Sequence, residues 1–515
     1  MAWSVVSLAN DVAAGRVRPE DVLAEHVSRH HATHAALNAL VQSRHSAAGH
    51  EVNRLESLLR DEAVHLPLAG VPVSVKECFG VAGLVTTLGI ASRRHEIDAA
   101  DAAIVARLRT AGATIVGKGN VPQAMYLHET DNPVWGRTNH PFDAARGPGG
   151  SSGGDAALVA AGVVPLAVGT DLAGSIRQPA HACGIAGFLP RTAALGSGGA
   201  FDTMPHLKIV RPRAGFLARE VADLTRCLEA VAGGVVPTRI NEAIQSASPA
   251  DVSARGLRVA WWDDAGPLEP SPAVRRAVQE AVDCLTRAGV ETVRLDGRLA
   301  TEAAWLHLGL LSADGGADIR RLFAGTRPLP AVALLLRLAG LPRWLRPLLA
   351  AASRGVGGGI EAVALRATGP RRGTAFGELC DRRIDLAARF AAVASPYDAI
   401  VCPVSALPAL RHGTAARLVL AAAPCLLANL LDLPAGTVPV TRVRPDEETC
   451  RFGSRDRVVQ AAAATDRDSR GLPVGVQVVG VPCERAATDP LGPEGTVLDV
   501  MRLIEHGLNK HKNVK

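Results

Sequence analysis

Lysine is almost absent from this sequence. Only six of its 56 basic residues are lysine (Lys76, Lys118, Lys208, Lys510, Lys512 and Lys515), and the other 50 are arginine. Arginine does not lose its proton in a protein, whereas lysine can. A lysine kept in such a sequence is either a leftover or a place where arginine chemistry fails. Cysteine is present nine times, at 78, 183, 227, 284, 380, 402, 425, 450 and 483. The count is odd and no CxxC pair occurs, which excludes a disulfide framework and a cysteine zinc site. These cysteines read as small apolar residues in a reducing compartment. No uninterrupted apolar run reaches about 18 residues, so no membrane-spanning helix is expected. The longest candidates are 156–169 and 418–430. The start, Met1-Ala-Trp-Ser-Val-Val, carries no basic region and meets Asp11 early, which argues against a signal peptide. Charge of one sign is scarce too. The net +6 is small for 515 residues and argues against a nucleic-acid partner.

Hydrophobic residues make up 48% of the chain and charged residues 21%, enough for a sizeable core. The length allows about three domains or one large enzyme fold. Residues 4–60 read as helices, with Pro19, Glu20 and Asp21 forming a helix start. Residues 66–75 read as a buried strand, 99–111 as a helix and 113–117 as a strand. This alternation recurs at 155–190 and predicts an α/β fold with a mixed sheet. Residues 137–154 are a glycine-rich loop. Residues 290–390 predict a mostly helical insertion. Within it, 328–354 is rich in leucine and proline, punctuated by Arg337, Arg343, Arg346 and Arg354. Strands are expected again at 399–404, 435–443 and 472–479, with a polar loop over 444–470 and a loose tail at 509–515. No internal repeat is visible.

Three segments carry chemistry. Gly149-Gly-Ser151-Ser152-Gly-Gly154 resembles a flexible linker, but Asp155 and an alanine-rich helix start follow it directly. Such a loop can present hydroxyls and N–H groups at a helix N-terminus. In Gly169-Thr-Asp171-Leu172-Ala173-Gly174-Ser175-Ile-Arg177, a serine follows a tight turn of small residues. Consecutive N–H groups there can hold an oxyanion, though alone the serine reads equally as a helix cap. No histidine stands in a nucleophile-elbow motif. Lys76 ends a buried strand in Val71-Pro-Val-Ser-Val-Lys76. Burial lowers an amine's pKa by up to several units, and a neutral amine can take a proton from a hydroxyl.

Lysine, a serine–glycine loop 75 positions later and Gly-Ser-Ile-Arg another 24 positions on form a specific order. With it the chain resembles the amidase signature family of serine hydrolases, from about residue 4 to 507. The resemblance implies one large amidase-signature fold over 1–508, with a catalytic core near 65–235. It also implies a Ser–cis-Ser–Lys triad made of Ser175, Ser151 and Lys76. In that reading Lys76 is the base, Ser151 relays the proton and Ser175 attacks. The N–H groups of Leu172, Ala173, Gly174 and Ser175 hold the oxyanion. Ser152 hydrogen-bonds within the loop, Met125 lines the acyl site, and Asp171 with Arg177 forms a structural ion pair. No metal or cofactor is implied. Segments at 70–79, 120–125, 132–141, 431–441 and 471–477 look more narrowly like the fatty acid amide hydrolase branch. There the place of 328–354 is taken by a membrane-binding helical cap. The same segment also reads as a core helix pair whose arginines reach for water.

The expected function is therefore hydrolysis of amides with an apolar acyl part, by a cytoplasmic enzyme with peripheral membrane contact through 328–354 as an option and a homodimer as another. The alternatives are the glutamine-hydrolysing subunit of a glutaminyl-tRNA amidotransferase and a non-catalytic scaffold. Two departures stand out. The family usually has glycine at Ala173, which alanine can replace only if its φ is negative. Arg211-Pro-Arg-Ala-Gly-Phe-Leu-Ala-Arg replaces a more usual stretch and has no explanation from sequence. His128 and His140 lie near the motif loops without metal-ligand spacing, and the other histidines read as packing or surface residues.

Overall fold

The computed structural model describes residues 3–61, 66–232, 256–264, 266–323, 325–448, 451, 453–482 and 491–512. Cys450 and Cys483 lie outside the described residues. The other seven cysteines are unpaired, all but Cys380 buried. An 11-stranded mixed sheet organises the fold, in the order β1-β3-β2-β4-β6-β5-β10-β11-β9-β7-β8. The strands are β1 (Leu40–Ser43), β2 (Pro72–Lys76), β3 (Thr114–Gly119), β4 (Leu166–Asp171), β5 (Ala186–Leu189), β6 (Arg213–Ala218), β7 (Arg258–Trp261), β8 (Glu291–Arg294), β9 (Ala399–Pro403), β10 (Ala435–Arg442) and β11 (Pro473–Gly480). The α/β fold with a mixed sheet is as expected. The three C-terminal strands begin and end within two residues of their sequence-based bounds. They join the strands of the first half of the chain through β10, which lies against β5.

β2 pairs in parallel with both β3 and β4. All five of its residues are buried, as suits a strand covered on both faces. Helices α1 (Val5–Ala13), α2 (Pro19–Leu37) and α3 (His45–Leu58) form the N-terminal region, and α2 does start at Pro19 with Glu20 and Asp21 in its first turn. The short edge strand β1 interrupts what the sequence suggests is all helix. Four residues are too few to show a period. Helix α4 (Ala103–Thr110) precedes β3, α5 (Gly153–Ala160) precedes β4, and α6 (Arg177–Cys183) follows it.

The loop expected at 444–470 contains a helix, Arg457–Asp466. Asp456 caps it by accepting from Val458 N–H at 2.8 Å, and Val458 and Ala462 bury one side. Residues 509–512, expected in a loose tail, continue a helix, and 513–515 lie outside the described residues. The helix Pro493–Lys512 keeps its backbone form through Lys512, anchored by buried Val497, Leu498, Met501 and Ile504.

The insertion consists of helices Arg298–Leu311, Ala317–Phe323, Pro330–Gly340, Arg346–Gly355, Gly359–Ala367 and Thr374–Ala394. Val332 and Leu336 pack into the main core, so one face of Pro330–Gly340 is inward. Arg346 does not reach for water. It is buried and donates to the carbonyls of Leu338, Ala339, Leu341 and Leu365, stapling three helices. Arg213, in the unexplained 211–219 stretch, has a similar task. It is buried in β6 and donates to the Pro190, Ala428 and Leu433 carbonyls.

Candidate active site

Two parallel neighbours end side by side: β2 at Lys76 and β4 at Asp171. The Val75–Val168 register places Lys76 beside Gly169 and Thr170. Ligand sites of parallel sheets form beyond such carboxyl ends. The serine–glycine loop crosses above them, with a cis peptide between Gly150 and Ser151. Gln178 holds that loop by accepting from Gly150 N–H at 3.0 Å.

Lys76 is completely buried. Its Nζ lies 2.8 Å from both Ser151 Oγ and Thr170 Oγ1, and donates to the Thr170 carbonyl at 3.2 Å. Among the described residues no carboxylate touches it. Burial pushes its amine below the usual lysine range, against the opposite pull of Cys78, Asp155 and Asp171. Lys118 is equally buried but donates to Asp98 Oδ2 at 2.6 Å, with Thr86 Oγ1 and the Val85 carbonyl completing its three bonds. One buried lysine therefore has an anion for its charge, and the other has only neutral acceptors. A neutral amine against a hydroxyl can accept its proton.

The 171–177 turn is built around Asp171. Its carboxylate accepts from Gly174 N–H (2.7 Å), Ile176 N–H (3.1 Å), Arg177 Nε (3.0 Å) and Nη2 (2.9 Å), and Asn429 Nδ2 (2.9 Å). Burial would raise the Asp171 pKa. Arg177 and these donors outweigh it and hold the carboxyl well below the usual range. The expected ion pair is present, with neither side chain exposed. It corrects the oxyanion assignment at one position: Gly174 N–H is engaged by Asp171 because a buried carboxylate needs donors. The N–H groups of Leu172, Ala173 and Ser175 have no partner among the described residues. Gly174 has φ +99°, and a Cβ there would sit 2.9 Å from Cys425 Cβ. Ala173 is not among the residues with positive φ, so alanine fits the turn.

Ser175 is nearly buried, and its carbonyl accepts from Ser152 N–H at 3.1 Å. Its Oγ has no hydrogen-bond partner among the described residues. The structure thus joins Lys76 to Ser151 without closing the contact from Ser151 to Ser175. Such contacts are often long in ligand-free enzymes and tighten with substrate. Ser152 Oγ donates to the Thr170 carbonyl at 3.4 Å, a bond to β4 rather than one within its own loop. Met125 is half-buried against the main core in a left-handed backbone, φ 55°. Two residues before it, Gln123 Oε1 accepts from Leu329 N–H at 2.7 Å, tying this loop to the insertion.

Several contributors have no motif. Thr170 completes the acceptors around Lys76. Asp155 reads from sequence only as a helix start, yet it is fully buried and accepts from Ser74 Oγ at 2.8 Å. Burial pushes its carboxyl up to about 7. Asn429 and Gln477 accept from Arg177 across about half the chain. His307 lies buried beside the Leu172 backbone, and burial pushes its imidazole down to about 3. His128 lies against the Ala173 backbone. His140 is structural, with Nε2 2.8 Å from the Ala182 carbonyl.

The family model described as Amidase matches residues 21–486. The chain belongs to the amidase family. It is an amide hydrolase of the amidase-signature, serine-hydrolase type. Fatty-acid amide hydrolase 1 of Sus scrofa is 34% identical to this amidase over 81% of the chain and 73% of its own length. Acylamidase of Rhodococcus erythropolis is 33% identical over 56% of the chain and 60% of its own length. A solved fatty acid amide hydrolase superposes with a TM-score of 0.78 at 21% identity, covering 97% of this chain and 85% of the other. One subunit of the glutamyl-tRNA(Gln) amidotransferase from Acidothermus cellulolyticus is 34% identical, over 56% of the chain and 57% of its own length.

Proposed function

We propose that this amidase cleaves amides with a long apolar acyl chain, with Lys76, Ser151 and Ser175 as its catalytic residues. The observation that carries the reading is a buried lysine with no anionic partner, 2.8 Å from a serine hydroxyl. Lys76 takes the Ser151 proton while Ser151 takes that of Ser175. Ser175 Oγ attacks the amide carbon, and the oxyanion rests on the N–H groups of Leu172, Ala173 and Ser175. The relay then returns the proton to the departing nitrogen, since an amine leaves poorly until protonated. The amine or ammonia departs, and water admitted to the acyl-enzyme releases the acid.

An apolar acyl part is supported by the similarity to Fatty-acid amide hydrolase 1 and by the surroundings of Met125. A cavity of about 660 Å³ in the insertion is lined by Phe323, Pro328, Ala333 and Leu336 together with Arg320 and Arg337. Peripheral membrane contact through 328–354 belongs to the same proposal. The outward side of this segment carries Leu334 (52% exposed), Trp344 (73%) and Leu348 (63%). Arg337, Arg343 and Arg354 are exposed among them. Apolar side chains mixed with cations suit an anionic lipid surface. Among the described residues no helix is long and apolar enough to cross a membrane.

A fluorophosphonate probe should label Ser175 in the purified chain alone, and the Ser175→Ala variant should not be labelled. The wild-type protein should release ammonia faster from oleamide than from glutamine. Labelling elsewhere would remove the nucleophile assignment. The reverse substrate ranking would favour the amidotransferase reading. Flotation with anionic vesicles should be lost in a Leu334→Ser/Trp344→Ser/Leu348→Ser variant, and equal flotation would remove the lipid contact.

A further inference from the structure

Five histidines gather away from the catalytic strands. His26, His30, His31 and His34 lie on α2, and His45 opens α3. The i, i+4 spacing of His26, His30 and His34 puts those three on one side of the helix. His30, His31 and His45 each offer a ring nitrogen, and these three nitrogens lie within 4.8 Å of one another. Their ring centres are 5.1 Å (His30–His45), 5.7 Å (His30–His31) and 6.0 Å (His31–His45) apart. Zinc–nitrogen bonds of about 2.0–2.1 Å in tetrahedral geometry place ring centres roughly 5 Å apart. Small side-chain rotations close the difference.

The surroundings prepare the lone pairs. His30 is 7% exposed, and its Nε2 lies 3.3 Å from His34 Nδ1. With Nε2 protonated and donating to His34, Nδ1 of His30 keeps its lone pair. That atom is buried and has no hydrogen-bond partner among the described residues, and neither has His45 Nε2. A ligating histidine commonly donates its second ring N–H in this way. Behind them, His26 Nδ1 contacts the Val163 carbonyl at 2.9 Å. Unpartnered buried nitrogens carry a cost that a metal would remove.

We propose that His30, His31 and His45 form a binding site for a divalent transition ion of the zinc class, with water in the fourth position. The ion would clamp α2 to the start of α3. β1, the edge strand of the sheet, runs between these helices. The site is structural, since none of its residues touches Lys76, Ser151 or Ser175.

The test uses the full chain, stripped with a chelator and titrated with Co²⁺ and then Zn²⁺. One Co²⁺ per chain should bind with the intense visible absorption of tetrahedral coordination, and Zn²⁺ should displace it. Zn²⁺ should also raise the midpoint of thermal unfolding. His30→Gln or His45→Gln should weaken binding by about tenfold or more, while His50→Gln, at an exposed position, should not. Fluorophosphonate labelling of each variant reports that it is folded. The proposal is overturned if the stripped protein binds no Co²⁺, or if a folded His30→Gln/His45→Gln variant binds it as the wild type does.

Discussion

Replacing each buried lysine by methionine separates chemistry from stability. Methionine keeps most of the volume and removes the amine. At position 76 the loss is two 2.8 Å contacts, to Ser151 and Thr170, each worth about 1 kcal/mol net. Against that, an amine held at a desolvation cost disappears. The net change in unfolding free energy should stay within about 2 kcal/mol. Catalysis should fall by about 10²–10⁴-fold, the usual contribution of a positioned base. At position 118 the order reverses. Lys118→Met leaves Asp98, whose side chain is 15% exposed, without its cation. Removing one partner of a buried pair costs about 3–5 kcal/mol. Asp98 keeps donors from Val81 N–H and Thr86 Oγ1, so the low end is expected. The folded Lys118→Met enzyme should retain kcat/KM within a few fold. Urea unfolding gives the stabilities, and amide turnover below each unfolding transition gives the rates. Equal catalytic losses in two folded variants would refute the assignment of the base.

Gly174→Ala should abolish most amide turnover, because the left-handed φ and the Cys425 contact both oppose a Cβ. The strain of about 1–3 kcal/mol should appear as a lowered melting temperature, and near-normal turnover would show that the turn adapts. Three largely buried carboxyls should contribute stability that is lost as pH rises from about 4.5 to 7. Burial pushes Asp223 up to about 6 and both Glu229 and Glu505 up to about 7. Folded-state pKa values above the unfolded ones stabilise below that window and cease to do so across it. A Glu229→Gln/Glu505→Gln variant should lose this contribution, so that its melting temperature falls less, or rises more, with pH than that of the wild type, and an unchanged slope would exclude these groups.

The catalytic candidates were legible because their chemistry is written in short segments. A scarce lysine ends an apolar strand, a serine pair sits among glycines, and a third serine follows a turn of small residues. For Ala173 only the condition could be stated in advance, a negative φ, and the sign itself comes from the fold. What was hidden depends on distant partners. Asp155 could be read as a helix start but not as a buried carboxyl bonded to Ser74. The engagement of Gly174 N–H requires knowing where the Asp171 carboxylate points. Arg346 sits among leucines in a pattern that suits a membrane surface, yet carbonyls of the two neighbouring helices and of Leu341 draw it inward. The strand β1 and the helix Arg457–Asp466 are short elements held by tertiary contacts and a cap, so periodicity does not reveal them.

The reach of Arg177 has a consequence for how the enzyme comes into being. Its guanidinium is met by Cys425, Asn429 and Gln477, which are synthesised some 250–300 residues later. A nascent chain that has emerged through residue 235 already carries Lys76, Ser151 and Ser175, the proposed catalytic residues, yet the partners of Arg177 are still to be translated. The turn that holds the proposed nucleophile therefore completes its side-chain contacts only once the chain has been made through Gln477.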